Sequence, residues 1–365
     1  MPTPLTSPNQ RFIVELHNNA FGYIGTLPYN NMQGEFKLGH DGASIRMTIP
    51  YKDYAWITPD VLYPGKSEIW IYDSLVSATV PIYQGQLWDL TANSSDGTLS
   101  ISTSDYLTYL ARRIPTTSTI AISAKDPAQA IADLVNVTMS AETAGGVGFT
   151  VTPTTSAVTA YKITATYNRT QLLNYLDIID DWAALSSSGA VEYYMIDGNQ
   201  MHVLTTGAVG EVLSPVAPAR LEYGGALTSY SFTVQAENLA NYYFTTDQDN
   251  KLFSSASDAP SIAAYGRAYQ MAEAQDHVLT QAQLDALSAT RVKAAKTPRL
   301  IPQMVLRTNL LVPRRDFYYG SLLDVYINDG WTQYDQQVRV VGWQLTVGRS
   351  NRATVVIYAN DLNEV

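Results

Sequence analysis

The chain has 365 residues, 46% of them apolar and only 15% charged, with a net charge of −10 and 25 tyrosines. That length suits two or three domains with real cores, and the apolar share excludes a disordered chain. The acidity excludes a nucleic-acid grip, which needs basic clusters to displace counterions.

The first third reads as β throughout. Arg11–Leu16 leads through Gly22 to Tyr23–Leu27, then Gly34–Gly39. After the His40-Asp41-Gly42 turn, Ile45, Met47 and Ile49 alternate with Arg46 and Thr48. This is the period of two expected of half-buried strands. Further strands are predicted at Glu68–Tyr72, Val80–Leu90 and Leu99–Ile101, with Pro81 inside one of them as an edge or bulge signal. Short strands at this spacing predict a barrel or sandwich.

The texture changes near 112–126. Asp126-Pro127 is a helix start, a capping carboxylate followed by proline at the first helical position, and Ile131, Leu134 and Val135 share one face. A Gly/Thr-rich stretch from Gly145-Gly146 to Thr155 precedes a strand at Tyr161–Tyr167. A second helix is predicted over 170–185, with Leu172, Leu176, Ile179 and Ala183 on one stripe, Trp182 beside it and Ser186–Gly189 as its end. Val191–Ile196 and Met201–Leu204 form a hairpin turning at Asp197-Gly198-Asn199.

From about 220 the chain returns to β, at Ser229–Val234 and Tyr242–Thr245. A helical insert follows near 261–296. Ile262, Tyr265 and Tyr269 mark a first face, and Thr280-Gln281-Ala282-Gln283 opens a second helix that Pro298 and Pro302 stop. Near the end Trp343, Leu345 and Val347 alternate with Gln344, Thr346 and Gly348. Thr354–Tyr358 is apolar on both faces and is expected to be buried on both.

Chemistry-bearing groupings are scarce. His17, His40, His202 and His277 are all more than four residues apart, so no metal-binding helix pair exists, and zero cysteine removes disulfides, thiolate nucleophiles and Cys-ligated metals. Surface or hairpin positions are expected for the histidines, and turns for Gly145-Gly146 and Gly224-Gly225. No GxSxG, phosphate-cradling glycine loop or GxGxxG occurs. A glycosidase needs two carboxylates flanking a sugar. The densest pair, Asp180-Asp181, is read as a solvated helix face, and Glu192 and Asp197 belong to the hairpin. Arg112-Arg113 and Arg314-Arg315 are read as element ends facing solvent. The expected catalytic, cofactor-binding and metal-binding residues are therefore none, and the expected cofactor is none. The pairs Tyr193-Tyr194, Tyr242-Tyr243 and Tyr318-Tyr319 sit on predicted strands, so each divides between two faces. This favours core and subunit contact over a sugar-stacking platform. The N-terminus Met1-Pro2-Thr3-Pro4-Leu5 lacks the basic start and apolar run of a signal peptide, and no stretch nears the roughly 20 apolar residues of a membrane span.

In order and pattern over nearly the whole chain, these elements resemble the tail hub proteins of tailed bacteriophages, the central baseplate or minor tail proteins. The resemblance rests on Gly34–Leu38 and Ser44–Pro50, on Ile82–Leu87, and on Tyr106–Arg113, where the family closes its first β module with a short helix. It continues through Pro127–Asn136, through Leu172–Leu185 with the Val191–Leu204 hairpin, and through Ala259–Arg267, Tyr319–Val325 and Val338–Val347. Ser321 stands where the family often has an aspartate.

The resemblance implies a mainly β fold with α+β parts. Two tube-forming, barrel-like β modules at 1–113 and 219–365 would flank a middle α+β domain at 114–218. It implies a non-enzymatic homotrimer whose six β modules match a hexameric tail tube or distal tail ring to a threefold fibre or spike. The implied partners are other copies of the chain, the distal tail or tube ring, fibre, spike or receptor-binding proteins and the tape measure protein, with DNA passing unheld. Assembly in the host cytoplasm and residence at the virion tail tip would account for an extracellular role without an export signal. A negative wall would repel phosphate. Two rival readings are an extracellular glycan-binding module and a tail-associated wall hydrolase. The chain's stopping with its last strand at Val365 argues against a fused hydrolase.

Overall fold

The computed structural model describes residues 11–18, 22–138, 150–155, 162–184, 191–205, 219–247, 251–275, 280–297, 299–308, 310–348 and 352–361. The mainly β expectation holds, with the longer helices of the described residues in the middle and in the insert.

The N-terminal strands are β1 (Phe12–Asn18), β2 (Tyr23–Thr26), β3 (Asn31–Lys37), β4 (Ala43–Pro50), β5 (Ser67–Asp73), β6 (Tyr83–Asn93) and β7 (Thr98–Ser104). Alternation drives them: in β4, Ala43, Ile45, Met47 and Ile49 are buried while Arg46 is exposed. Pro81 lies outside β6, in a run of turns, because the strand begins only where each residue again has an amide to donate. The short helix α1 (Leu107–Leu110) follows β7.

The middle of the chain holds β8 (Thr119–Lys125), α2 (Pro127–Asp133), β9 (Thr150–Thr154), β10 (Ile163–Asn168), α3 (Tyr175–Ala184), β11 (Val191–Ile196) and β12 (Gln200–Thr205). Asp126 caps α2 as expected, accepting from the Ala128 and Gln129 amides at 2.9 and 3.3 Å. The second helix starts later than 170. Leu172 adopts a left-handed conformation (φ 55°) and is 68% exposed. The true cap is Asn174, whose Oδ1 accepts from the Asp177 amide at 2.9 Å while Asp177 accepts from the Asn174 amide at 3.3 Å. The hairpin β11–β12 turns at Asp197 and Gly198, both with positive φ (49° and 76°). Two strands of this middle part escaped the sequence pattern. These are β8, and β9 with its β-branched run Thr150-Val151-Thr152, which pairs in parallel with β12. Gly145-Gly146 and Ser186–Gly189 lie outside the described residues.

The C-terminal part comprises β13 (Ala219–Glu222), β14 (Leu227–Gln235), β15 (Tyr242–Asp247), β16 (Phe253–Ser257), α4 (Ala259–Tyr265), β17 (Gln270–Gln275), α5 (Gln281–Ala295), β18 (Arg299–Leu306), β19 (Leu322–Asn328), β20 (Gln333–Val347) and β21 (Ala353–Asp361). The helical insert thus also contains a strand. Gly266, left-handed at φ 66°, ends α4, and Tyr269 leads into β17, which pairs in parallel with β15. Pro302 does not stop a helix. It sits inside β18, paired with Phe232 of β14 and just before the stretch Gln303–Leu306 that pairs with β21, so its missing amide costs no ladder bond there. Tyr318 and Tyr319 occupy a turn before β19 rather than a strand. Among the described side chains of β21, Val355, Ile357 and Ala359 are buried; Thr354 is exposed and Val356 and Tyr358 are half-buried, so over Thr354–Tyr358 one face and not both is covered.

The two ends of the chain share one sheet. β3 pairs antiparallel with β20, from Lys37 beside Gly342 to Met32 beside Val347, and a 13-stranded sheet results. The joint is tight: a Cβ on Gly342 would lie 2.6 Å from the Phe36 carbonyl oxygen. Beside it Trp343 stacks on Phe36 (5.2 Å between centroids, 15° between planes) and meets Phe317, Tyr318 and Tyr319 at 6.0, 5.6 and 4.6 Å. Tyr194 of β11 closes the cluster against Tyr318 and Tyr319. One apolar core therefore takes residues from Phe12 to Ala359, while a second, from Tyr106 to Val203, serves the middle of the chain.

Trp343→Ala should cost about 3–5 kcal/mol, the usual range for emptying a large aromatic site. Gly342→Ala, one methyl against a carbonyl oxygen, should lower the unfolding midpoint in urea although it raises local β propensity. Equilibrium denaturation of both variants checks this.

Candidate assembly face

The register of the sheet places one residue from each of eight strands in line. Leu227, Leu306, Val355, Leu345, Gly34, Ile45, Thr103 and Leu87 form an inward row running from β14 through β18, β21, β20, β3, β4 and β7 to β6. Apart from the buried threonine and the glycine it is wholly aliphatic. The opposite face carries the parallel row Ser229, Val305, Val356, Gln344, Glu35, Ser44, Ser104 and Gln86. Next to it run Thr354, Thr346, Gln33, Arg46, Ser102 and Asp89. This outer face is mainly hydroxyls and amides, with Val305 and Val356 half-buried among them. Among its described side chains the charges are Glu35, Lys37, Arg46 and Asp89, which balance, and Lys37 pairs with Glu35 at 3.2 Å and with Asp41 at 3.3 Å. The chain's acidity is therefore not concentrated on this face. The rows were invisible in the sequence, because they interleave residues some 300 positions apart.

Behind the sheet, ionic contacts fasten the middle of the chain to it. Arg314, left-handed at φ 69° and with a side chain 7% exposed, pairs with Asp197 and donates to the Pro81 carbonyl at 2.9 Å. It joins three parts of the chain and does not face solvent as expected, because its guanidinium has a carboxylate and a carbonyl to satisfy it indoors. Arg339 pairs with Glu192, and the Tyr318 hydroxyl donates to the Met195 carbonyl at 3.0 Å. Arg112 lies over the Trp88 ring at 3.9 Å, and Arg113 donates to the Tyr109 hydroxyl at 2.6 Å.

The adjacent carboxylates Asp180 and Asp181 are not a bare solvated face either. Asp180 accepts from the Tyr193 hydroxyl and sits 2.6 Å from His40 Nδ1, and Asp181 accepts from the Tyr167 hydroxyl at 2.7 Å. Each is a structural acceptor, and the two point to different partners. His17 is buried, stacked on Trp70 at 3.9 Å with Nε2 3.0 Å from Glu15. His202 stacks on Tyr194, and His277 lies outside the described residues. Gly224-Gly225 forms a turn. Tyr193 and Tyr194 divide between the two cores as the strand alternation required. No group of three His, Asp or Glu side chains is placed to hold a metal, and no helix is long and apolar enough to cross a membrane, both among the described residues.

Asp105 sits fully buried where β7 enters α1. Burial pushes its carboxyl up to about 7, against the lowering effect of the Ala43, Leu107 and Thr108 amides, the first two at 2.7 and 3.1 Å. Burial also raises Glu68, partly offset by the Trp70 indole and the Tyr106 hydroxyl. At the far end of the sheet the β19–β20 tip exposes Trp331 at 95%, held by Asp329, which accepts from the Trp331 and Thr332 amides and the Tyr230 hydroxyl.

Asp105 titrates at 3.8 when exposed and near 7 in the fold. The folded chain alone holds its proton between those values, so its contribution to stability is present at low pH and fades as pH rises through 7. Melting temperature should fall from pH 5 to pH 8, and Asp105→Asn should flatten that slope in thermal melts across the same range.

No protein-family model and no curated protein sequence matches the chain. Solved structures do. A 43 kDa tail protein of prophage MuSo2 from Shewanella oneidensis superimposes with a TM-score of 0.69 at 12% identity, over 97% of this chain and 99% of that one. A tail protein from Neisseria meningitidis gives 0.64 at 11% identity over 96% of both chains. A prophage tail protein from Listeria monocytogenes gives 0.58 at 11% identity over 96% and 95%. At these identities the likeness is one of architecture: along nearly its whole length, the chain has the fold of phage and prophage tail proteins.

Proposed function

We propose that the chain is a non-enzymatic structural protein of a phage tail tip, a hub of three copies around a DNA conduit. The observation that carries this reading is the eight-stranded wall. One face is an inward row, aliphatic but for Thr103 and Gly34, sealed by the core; the other is a mainly polar row rich in hydroxyls and amides, and both ends of the chain supply strands to it. A sheet needs such two-sidedness when its second face meets water, as a conduit wall does. The fold shared with prophage tail proteins supports the same reading.

In this account residues 1–113 and 219–365 supply the wall, and 114–218 buttresses it through Arg314 and Arg339. Three chains give six wall modules, a match for a hexameric tube or distal tail ring on one side and a threefold fibre or spike on the other, with the tape measure protein in the channel. The chain would assemble in the host cytoplasm and end at the tail tip of the virion. DNA slides because the wall offers balanced charge and no basic cluster, rather than because the wall is strongly negative.

Mass measurement of the purified protein at tens of micromolar should return a threefold species; a monomer throughout would defeat the hub reading. Duplex DNA should bind weakly and without sequence preference at physiological salt, as titration by fluorescence anisotropy would read.

A further inference from the structure

The insert builds a small sheet of its own, apart from the wall. β15 is its central strand, antiparallel to β16 on one side and parallel to β17 on the other. Alternation gives this sheet two unlike faces. Tyr243 and Thr245 point to α5, where Thr245 hydrogen-bonds Ser288 and Tyr243 shares a small core with Ala240 and Val292. The other face sets Tyr242, Phe244 and Thr246 of β15 beside Ser257, Ser255 and Phe253 of β16, and beside Gln270, Ala272 and Ala274 of β17. The six residues from β16 and β17 are all exposed, Phe253 at 57%, and the three from β15 are half-buried, so this face is open.

Three rings cross it in a chain, Tyr242 to Phe244 at 4.7 Å and Phe244 to Phe253 at 5.9 Å between centroids. Ala272 and Ala274 leave a low floor beside them, and Thr246, Ser255, Ser257 and Gln270 add hydroxyls and an amide. None of the nine residues is charged, in a chain whose net charge is −10. Open aromatic surface of this kind marks a contact site, and its chemistry and size select the occupant. A nucleic-acid strand could stack on the rings but needs lysine or arginine for its phosphates, and the face has neither. Three rows of three residues measure about 14 Å along the strands and about 10 Å across them. That falls far short of the ~800 Å² each partner buries in a stable protein interface. A neutral sugar chain meets every condition. Its ring faces carry C–H groups that pack on aromatic rings, its hydroxyls match the serines and the glutamine, and it buries no unpaired charge.

We infer that this open face of the insert is a binding site for a neutral polysaccharide, with Tyr242, Phe244 and Phe253 stacked against sugar rings and Ser255, Ser257 and Gln270 bonded to sugar hydroxyls. The Tyr242-Tyr243 pair divides between two faces, as its place on a strand required. The platform arises because Phe244 and Phe253 join the outward half, and only the register of β15 against β16 reveals that. The site lies within one chain and does not depend on the hub reading.

Biolayer interferometry of the full chain tests it, over immobilised dextran, galactomannan and mixed-linkage β-glucan as neutral surfaces and over hyaluronan and oligo-dT as charged ones. The chain should bind at least one neutral surface and neither charged one. Because Phe253 is largely exposed, Phe253→Ala leaves the core of the insert intact, and it should weaken that binding about tenfold through the loss of one stacked ring. Trp331→Ala removes a still more exposed ring at the β19–β20 tip and should leave the affinity unchanged. Binding to no neutral surface, binding to either charged one, or a neutral-surface response that survives Phe253→Ala or disappears in Trp331→Ala would each overturn the site. Mass measurement on the same samples reads the hub separately: a threefold species that binds no neutral surface leaves the hub standing and removes the site.

Discussion

The antiparallel contact between β3 and β20 is the constraint on which the rest of this molecule depends. It brings residue 37 beside residue 342 and makes one sheet of two β regions written at opposite ends of the chain. Trp343 lies at this contact, touching Phe36 from one end, Phe317 to Tyr319 from the other, and through them Tyr194 from the middle. A pairing across so much chain is costly to close, so the fold carries the high contact order of slow-folding β topologies. Once closed, it gives the wall its two continuous faces.

Much of the fold was legible locally. Alternation in Ala43–Pro50 and in Trp343–Val347, the Asp126-Pro127 cap and the Asp197-Gly198 turn all follow from short-range rules, and the structure has them. The failures share a cause. Pro302 looked like a helix stop and Leu172 like a core position, because a neighbour's register and a competing Asn174 cap cannot be read from one segment. Arg314 looked like a surface residue because its partners, Asp197 and Pro81, are distant in sequence. The candidate face was the least legible part, since register between remote strands decides which serine adjoins which glutamine.

The low charge content also takes a more definite form. Among the described side chains, the exposed face of the wall carries two acids and two bases, while Arg314 and Arg339 are spent indoors on Asp197 and Glu192. Buried pairs of this kind contribute less net stability than their geometry implies, but removing one partner leaves an uncompensated charge. They therefore fix orientation: the β11–β12 hairpin can dock on the sheet in the one pose that satisfies both arginines.

β20 changes partners along its length. Over Gln333–Arg339 it pairs with β19, over Gly342–Val347 with β3, and its register against β21 slips between Val340 and Gly342. A bulge increases local twist and redirects a strand, and this one falls where β20 passes from β19 to β3. In the ring proposed above, the curve of the wall would then depend in part on a single strand's backbone and not only on contacts between copies.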